Sequence, residues 1–535
     1  MKKRIWYAVT QRRAWAAVLG AALCHCHPAA AANFAWASDA DAASLDPYAK
    51  NEVFLQSFDA NFYEPLVRRD GALKLEPALA VRWTQIQPTL WRFDLRHGVT
   101  FHDGSPFTAA DVMFSFDRVA GDGSNMRNAV VAVKEIRKLD DFTVEFVTKW
   151  PDPILPGELA AWDIMSKVWC EANDSSRPAD LANAQENYAS EHENGTGPFI
   201  VKERETAVRT VLAPNPTWWD KPKHNLTSVV FEPIADDETR VAALLSGKID
   251  MIYTVPPEAT DRIAGAKGFK IVEGPALRTL FLGFDQSRPQ LLDSSLKGKN
   301  PFKEKPVRLA IAEAIDETAI KDEIMRGYAR PAALLVGPGV NGYNAELDKR
   351  PPYDPEQART LLAQAGYSKG FEVGMDCPND RYVNDEQICD AVSAMLAKIG
   401  IAVKPQIQTR SSYFMKIGSP GYKTSFYLLG WVPYDYDAGA TLRALAHSRD
   451  PKTLAGEMNL GGYSNPALDA LIDQAEIETD PEKRVALLRD AMTIVRDEVV
   501  YVPLHQQPLI WAAKSKISLV QPEDDWFPLR YVWVK

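Results

Sequence analysis

Cysteine, histidine and long apolar runs are all scarce in this chain of 535 residues, and each scarcity closes off a class of function. Of the eight histidines, His25 and His27 stand near the amino terminus, and His97, His102, His192, His224, His447 and His505 show no ligand-like spacing. The pattern therefore holds no metal site and calls for no cofactor. Beyond residue 32, no stretch approaches the roughly twenty apolar residues a membrane-spanning helix needs. Basic excess is absent as well, since 61 Lys+Arg face 71 Asp+Glu for a net charge of −10. An acidic surface of this kind disfavours nucleic acid and anionic lipid. Internal repeats and low-complexity tracts are missing too.

Catalytic motifs are equally thin. Ser294-Ser295-Leu296-Lys297 has a serine and lysine at the spacing of a nucleophile and its base, but neither Ser-Asp-Asn nor Lys-Thr-Gly accompanies it. It reads as a surface loop between Arg288-Pro289 and Pro301. Gly247-Lys248 lacks the upstream glycine and the downstream hydroxyl of a phosphate-cradling loop. No catalytic residue is assigned, and the chain reads as a binder and not as an enzyme.

The first 32 residues are basic (Lys2, Lys3, Arg4), then apolar from Ala14 to Leu23, then small (Ala29 to Ala32), the order of a secretory signal peptide. Arg12-Arg13 leaves the export route open between the general and the twin-arginine pathway. Cys24 and Cys26 lack the small preceding residue of a lipidation site. Removing residues 1–32 takes away five basic residues and no acidic ones, leaving 56 Lys+Arg against 71 Asp+Glu, a net charge of −15. The expected location is the periplasm. Three cysteines remain, and two readings stay open: Cys377 and Cys389 pair across a short loop with Cys170 buried and free, or all three are unpaired.

Hydrophobic residues at 46% and charged residues at 25% suit a large core built without metals, and length alone suggests about three or four domains. A mixed helix is expected over 51–63. Leu90-Trp91-Arg92-Phe93-Asp94-Leu95-Arg96 alternates like a half-buried strand. Thr108 and Asp111 resemble a capping box, and 142–147 reads as a strand. Polar, glycine-containing 191–198 reads as a crossing between lobes before a strand at Phe199-Ile200-Val201. A helix over 238–246 and a strand over 249–253 show the alternation of an α/β protein. Val307, Ile311, Ala314 and Ile315 share a helical face, and Asp354-Pro355, Asn465-Pro466 and Asp480-Pro481 each place a cap before a first-turn proline.

The chain carries Tyr63-Glu64-Pro65-Leu66-Val67, Leu79-Ala80-Val81-Arg82-Trp83 and Trp91 to Arg96 running into Phe101-His102-Asp103-Gly104-Ser105-Pro106-Phe107-Thr108-Ala109-Ala110-Asp111-Val112. Gly195-Thr196-Gly197-Pro198-Phe199, Asn215-Pro216-Thr217-Trp218-Trp219 and Gly462-Tyr463-Ser464-Asn465-Pro466 follow in order. Together these strings resemble the extracytoplasmic solute-binding proteins of peptide, nickel and related ABC importers, family five. The resemblance spans nearly the whole chain after the leader. It implies an α/β, two-lobed type II periplasmic-binding-protein clamshell with a small additional domain inserted in the first lobe. Lobe one would comprise 33–62, 195–277 and 506–535, the inserted domain 63–194, and lobe two 278–505.

The same resemblance implies a ligand and its contacts. The expected ligand is a di- or oligopeptide, and the alternative is a non-peptide solute such as a metal chelate, haem, an opine or a sugar. In similar peptide binders an acid follows a Gly-Trp pair, and here Gly430-Trp431 precedes Asp435 and Asp437. The position three residues after Trp431, where the acid would be expected, holds Tyr434 instead. Arg381 stands where dipeptide binders place an arginine for a carboxylate, a contact its planar fork suits. Asn51, Glu52 and Val53 would offer backbone partners to an extended ligand, and Trp431 would wall the pocket. The implied partners are inner-membrane permease subunits and, through them, an ATPase, with the binder itself a monomer.

Overall fold

The computed structural model describes residues 32–181, 185–418, 421–433 and 435–535. The leader up to residue 31 and Tyr434 lie outside the described residues. Two long antiparallel strands, Phe269–Phe284 and Tyr501–Lys514, form the middle of an eleven-stranded sheet. On one side of them stand Met251–Ile252, Ala32–Ser38, Leu226–Pro233, Arg209–Pro214 and Phe199–Glu205 in that order. On the other stand Phe426–Trp431, Phe371–Pro378 and Ile401–Gln408. Pairing of the two long strands slips between Pro275 and Thr279, where proline and the register shift interrupt the ladder. Each half adds a parallel pair, Ala32–Ser38 with Leu226–Pro233 and Phe371–Pro378 with Ile401–Gln408. The helix Asp385–Ala397 makes the crossover in the second pair.

Local chemistry fixes many of the helices. Thr108 and Asp111 close a capping box at the start of Ala109–Ala120, and the side chains of Asp354, Asn465 and Asp480 each accept two backbone N–H groups at a proline-started helix. In Leu90–Leu95 the residues Trp91, Phe93 and Leu95 are buried in alternation. That strand belongs to a separate four-stranded sheet with Ala80–Gln87, Thr143–Thr148 and Val133–Asp140.

This smaller sheet shares one buried cluster with the first half of the molecule, in which Phe93, Phe146 and Trp162 join Trp36, Phe58 and Phe231. The Trp36 ring lies 4.5 Å from Phe231 and 5.0 Å from Phe527, centre to centre. Phe527 comes from the carboxyl-terminal segment, which is pinned by Phe527 N–H donating to Ser57 Oγ (2.7 Å) and Leu529 N–H donating to Asn61 Oδ1 (2.9 Å). The second half buries one cluster on each face of its sheet, around Phe284 and Phe426 and around Tyr427 and Leu442.

The strings that carry the family resemblance meet in space. Glu64 accepts hydrogen bonds from Thr196 Oγ1 (2.9 Å), Trp218 Nε1 (3.2 Å) and Trp219 Nε1 (2.7 Å), while His102 joins Glu193 (2.7 Å) and the Gly197 carbonyl (3.1 Å). Segment 191–198 is thus held by side-chain contacts to Glu64 and His102. A side chain at Gly195 would stand 1.8 Å from the Phe62 carbonyl oxygen, so the chain packs closely against Phe62 there. Cys377 and Cys389 are disulfide-bonded with Cα atoms 6.5 Å apart, and Cys170 is buried and free. The bond closes the loop that carries Arg381.

Candidate ligand-binding site

Asn51, Val53 and Asp435, three residues singled out in the sequence, line one cleft of about 750 Å³. Asn51 and Val53 stand at the start of the helix Val53–Asp59, and Asp435 lies between the strand Phe426–Trp431 and the helix Ala438–Leu445. The cleft thus lies between elements of the two halves. Gln56, Asn128, Glu158, Asp524 and Trp526 also face it. Gln56 Nε2 donates to Asn51 Oδ1 (2.9 Å), which orients that wall. Glu52 turns its carboxylate to Lys50 instead, at 2.5 Å.

The Asp435 segment is tightly held. Its carbonyl accepts from Arg69 Nη2 (3.2 Å), which also reaches the Gly157 carbonyl (3.4 Å). The Arg69 guanidinium stacks 3.8 Å from the centre of the Tyr436 ring, and Tyr436 donates to Asp524 Oδ2 (3.0 Å). Tyr436 has φ +60°, a left-handed conformation that costs a side-chain-bearing residue about 1–2 kcal/mol. Burial and the neighbouring Asp437 push the Asp435 carboxyl up to about 7, because little water remains to solvate its charge. A cation entering the cleft would compensate that lost solvation.

Asp437 is placed differently. It is 2% exposed, its carboxylate is held by Arg484, Asn341 Nδ2 donates to it at 2.7 Å, and it caps the helix Ala438–Leu445 through the Gly439 N–H (2.7 Å). Trp431 packs into the second half, with its indole N–H on Thr441 Oγ1 (3.1 Å). Gly430 donates its N–H to Tyr382 Oη (2.9 Å), and a side chain there would meet the Tyr382 ring at 2.7 Å. Arg381 immediately precedes the same tyrosine, with its guanidinium 5.4 Å from the ring centre. Neither Gly430, Trp431 nor Arg381 lines the Asp435 cleft. Val383 does line a neighbouring cleft of about 420 Å³ together with Tyr253, Thr254 and Val255.

Sequence reasoning missed Arg69, Glu158, Tyr436, Asp524 and Trp526. None of them stands in a recognisable pattern; they come together only through the fold. Tyr434, the residue at the expected acid position, lies outside the described residues.

Two α/β halves joined by long shared strands, with a cleft between them walled by both, define a two-lobed solute-binding protein. Residues 74–453 match the family described as bacterial extracellular solute-binding proteins, family 5 Middle, and the chain belongs to that family. The glutathione-binding protein GsiB of Escherichia coli O1:K1 is 26% identical over 485 residues, covering 89% of both chains. Among solved structures, HbpA2 from Haemophilus parasuis superposes with a TM-score of 0.81 at 22% identity, over 94% of this chain and all of that one. DppA from Helicobacter pylori, in complex with the peptide STSA, gives 0.71 at 25% identity over 94% and 98%. Among the described residues, no helix is long and apolar enough to cross a membrane.

Proposed function

We propose that the protein is the periplasmic capture subunit of an ABC importer for short peptides. It delivers them to a membrane permease and catalyses nothing itself. The observation that carries this reading is the cleft in which Asp435 faces Asn51 and Val53. A carboxyl short of solvation beside an exposed helix start is suited to the amino end and first main-chain groups of a peptide. Arg381, on its disulfide-closed loop, is the candidate for the carboxylate end. Relatives named for glutathione and for a bound tetrapeptide support a peptide-like ligand.

In this reading 33–62, 195–277 and 506–535 form one lobe, 278–505 the other, and 63–194 the insertion. The lobes close about the register slip near Pro275. The test is native mass spectrometry of the protein isolated from a bacterial periplasm. A ladder of extra masses matching mixed short peptides is expected. One sharp extra mass of a non-peptide solute would contradict the peptide reading.

A further inference from the structure

Three carboxyl groups, Asp435, Glu158 and Asp524, face the cleft, and among the described residues no Lys, Arg or His lines it. Asp524 is satisfied, since it accepts from Tyr436 Oη and from the Trp526 N–H at 3.0 Å each. Glu158 is not. Its Oε2 is buried with no N–H or hydroxyl donor beside it among the described residues, and its side chain is hydrogen-bonded to that of Asp152, a second buried acid. It ends the short helix Leu155–Glu158, whose Gly157 abuts Asp435: a side chain on that glycine would lie 3.9 Å from the Asp435 carbonyl oxygen.

The charged groups around Glu158 do not neutralise it. Asp152, Asp435 and Asp437 all push its carboxyl further up, on top of the burial that raises it most. The two nearby guanidiniums are engaged elsewhere: Arg484 holds both oxygens of Asp437, and Arg69 donates to main-chain carbonyls and stacks on Tyr436. Two buried carboxyls joined by a hydrogen bond, with no cation beside them, keep a shared proton or take a cation. One α-amino group supplies one positive charge, which Asp435 would take.

We propose that Glu158 is a specificity residue for a second positive charge, so that the cleft selects peptides whose first residue is lysine or arginine. This rests on the peptide reading given above and adds the class of peptide to it. The ligand's amino group meets Asp435, and its first side chain turns toward Glu158, so that the proton this carboxyl shares with Asp152 leaves to solvent.

The test is isothermal titration of ligand-free protein, prepared by unfolding and refolding, with Ala-Ala-Ala, Lys-Ala-Ala and Ala-Ala-Lys. Lys-Ala-Ala is expected to bind about tenfold tighter than the other two, the effect of one partly buried charge pair. E158Q should bring that ratio close to one, and E158A should do the same. Equal, measurable binding of all three by the unaltered protein overturns the inference and leaves the peptide reading standing. A preference that persists undiminished in both variants also overturns it. Failure of all three to bind removes the peptide reading and this inference with it.

Discussion

Arg484 grips both carboxylate oxygens of Asp437, with Nη1 2.6 Å from Oδ2 and Nη2 2.8 Å from Oδ1. Both side chains are almost fully buried. Two residues earlier, Asp435 lacks such a partner and opens on the cleft. The same short loop thus carries one acid that builds the frame and one that is available to a ligand.

The two acids should respond oppositely to substitution. Asp437→Ala leaves Arg484 buried and unpaired, which costs about 3–5 kcal/mol, and a large fall in the thermal midpoint is expected. Asp435→Asn removes a carboxyl that burial already disfavours, so the midpoint of the ligand-free protein should hold or rise while peptide affinity falls about a hundredfold. Thermal unfolding followed by circular dichroism, paired with titration calorimetry, reads both. An unstable Asp435→Asn beside a stable Asp437→Ala would reverse the assignment.

Stability should depend on pH with a definite sign. Burial pushes Asp163 and Asp525 up to about 7, as it does Asp435, and Glu317 up to about 8. Folded values above the ordinary carboxylate range mean that the folded state binds protons that the unfolded chain has released. Stability from these groups is therefore complete below about pH 4 and is lost as pH rises through 7 to 8. His505 opposes them at the acid end. Burial, aided by Arg350, holds its pKa near 4 instead of 6.5, so its contribution is present above 6.5 and is lost as pH falls toward 4. The ligand-free protein should melt higher near pH 6 than near pH 8, and Asp163→Asn should reduce the difference. A midpoint that rises from about pH 6 to 8 contradicts this. Capture of a cation at Asp435 runs the other way and tightens as pH rises through about 7.

The Cys377–Cys389 bond, whose cysteines are separated by 12 in sequence, should stabilise the chain by up to about 3 kcal/mol on loop-entropy grounds. Its removal in the Cys377→Ser, Cys389→Ser double variant should lower the thermal midpoint. The loop holding Arg381 should then exchange its amide hydrogens faster than the rest of the second half. Unchanged exchange over 379–384 would show that the bond does not order the loop.

Gly430 must remain without a side chain because Tyr382 lies across it. Gly430→Ala should displace that ring, break the 2.9 Å hydrogen bond and cost about 1–3 kcal/mol. If Arg381 serves the ligand's carboxylate, the same substitution should weaken peptides with a free carboxyl terminus more than their amides. Equal loss for both would detach Arg381 from the site.

Much of the framework was legible in the sequence, and the reason lies in local chemistry. Thr108 with Asp111, Asp354, Asn465 and Asp480 act within their own first helical turn, so their spacing alone announces them. The strings containing Glu64, Thr196 and Trp219 are specific because their side chains converge on one buried carboxylate, a demand of the framework and not of the ligand. The cleft is another matter. Asp435 and Val53 meet across a separation of several hundred residues, and Glu158 enters from a proline-punctuated segment with no motif. The glycines of segment 191–198 also serve close packing against Phe62, which a turn-rich string does not announce.

The most direct test of the account compares Ala-Ala-Ala with its N-acetylated form in titrations of the ligand-free protein. If Asp435 captures a peptide's amino end, acetylation should lower affinity about a hundredfold or more, because a buried carboxyl would lose its cation. The difference should vanish in Asp435→Asn. Equal affinity for the free and acetylated peptides in the unaltered protein would contradict the account.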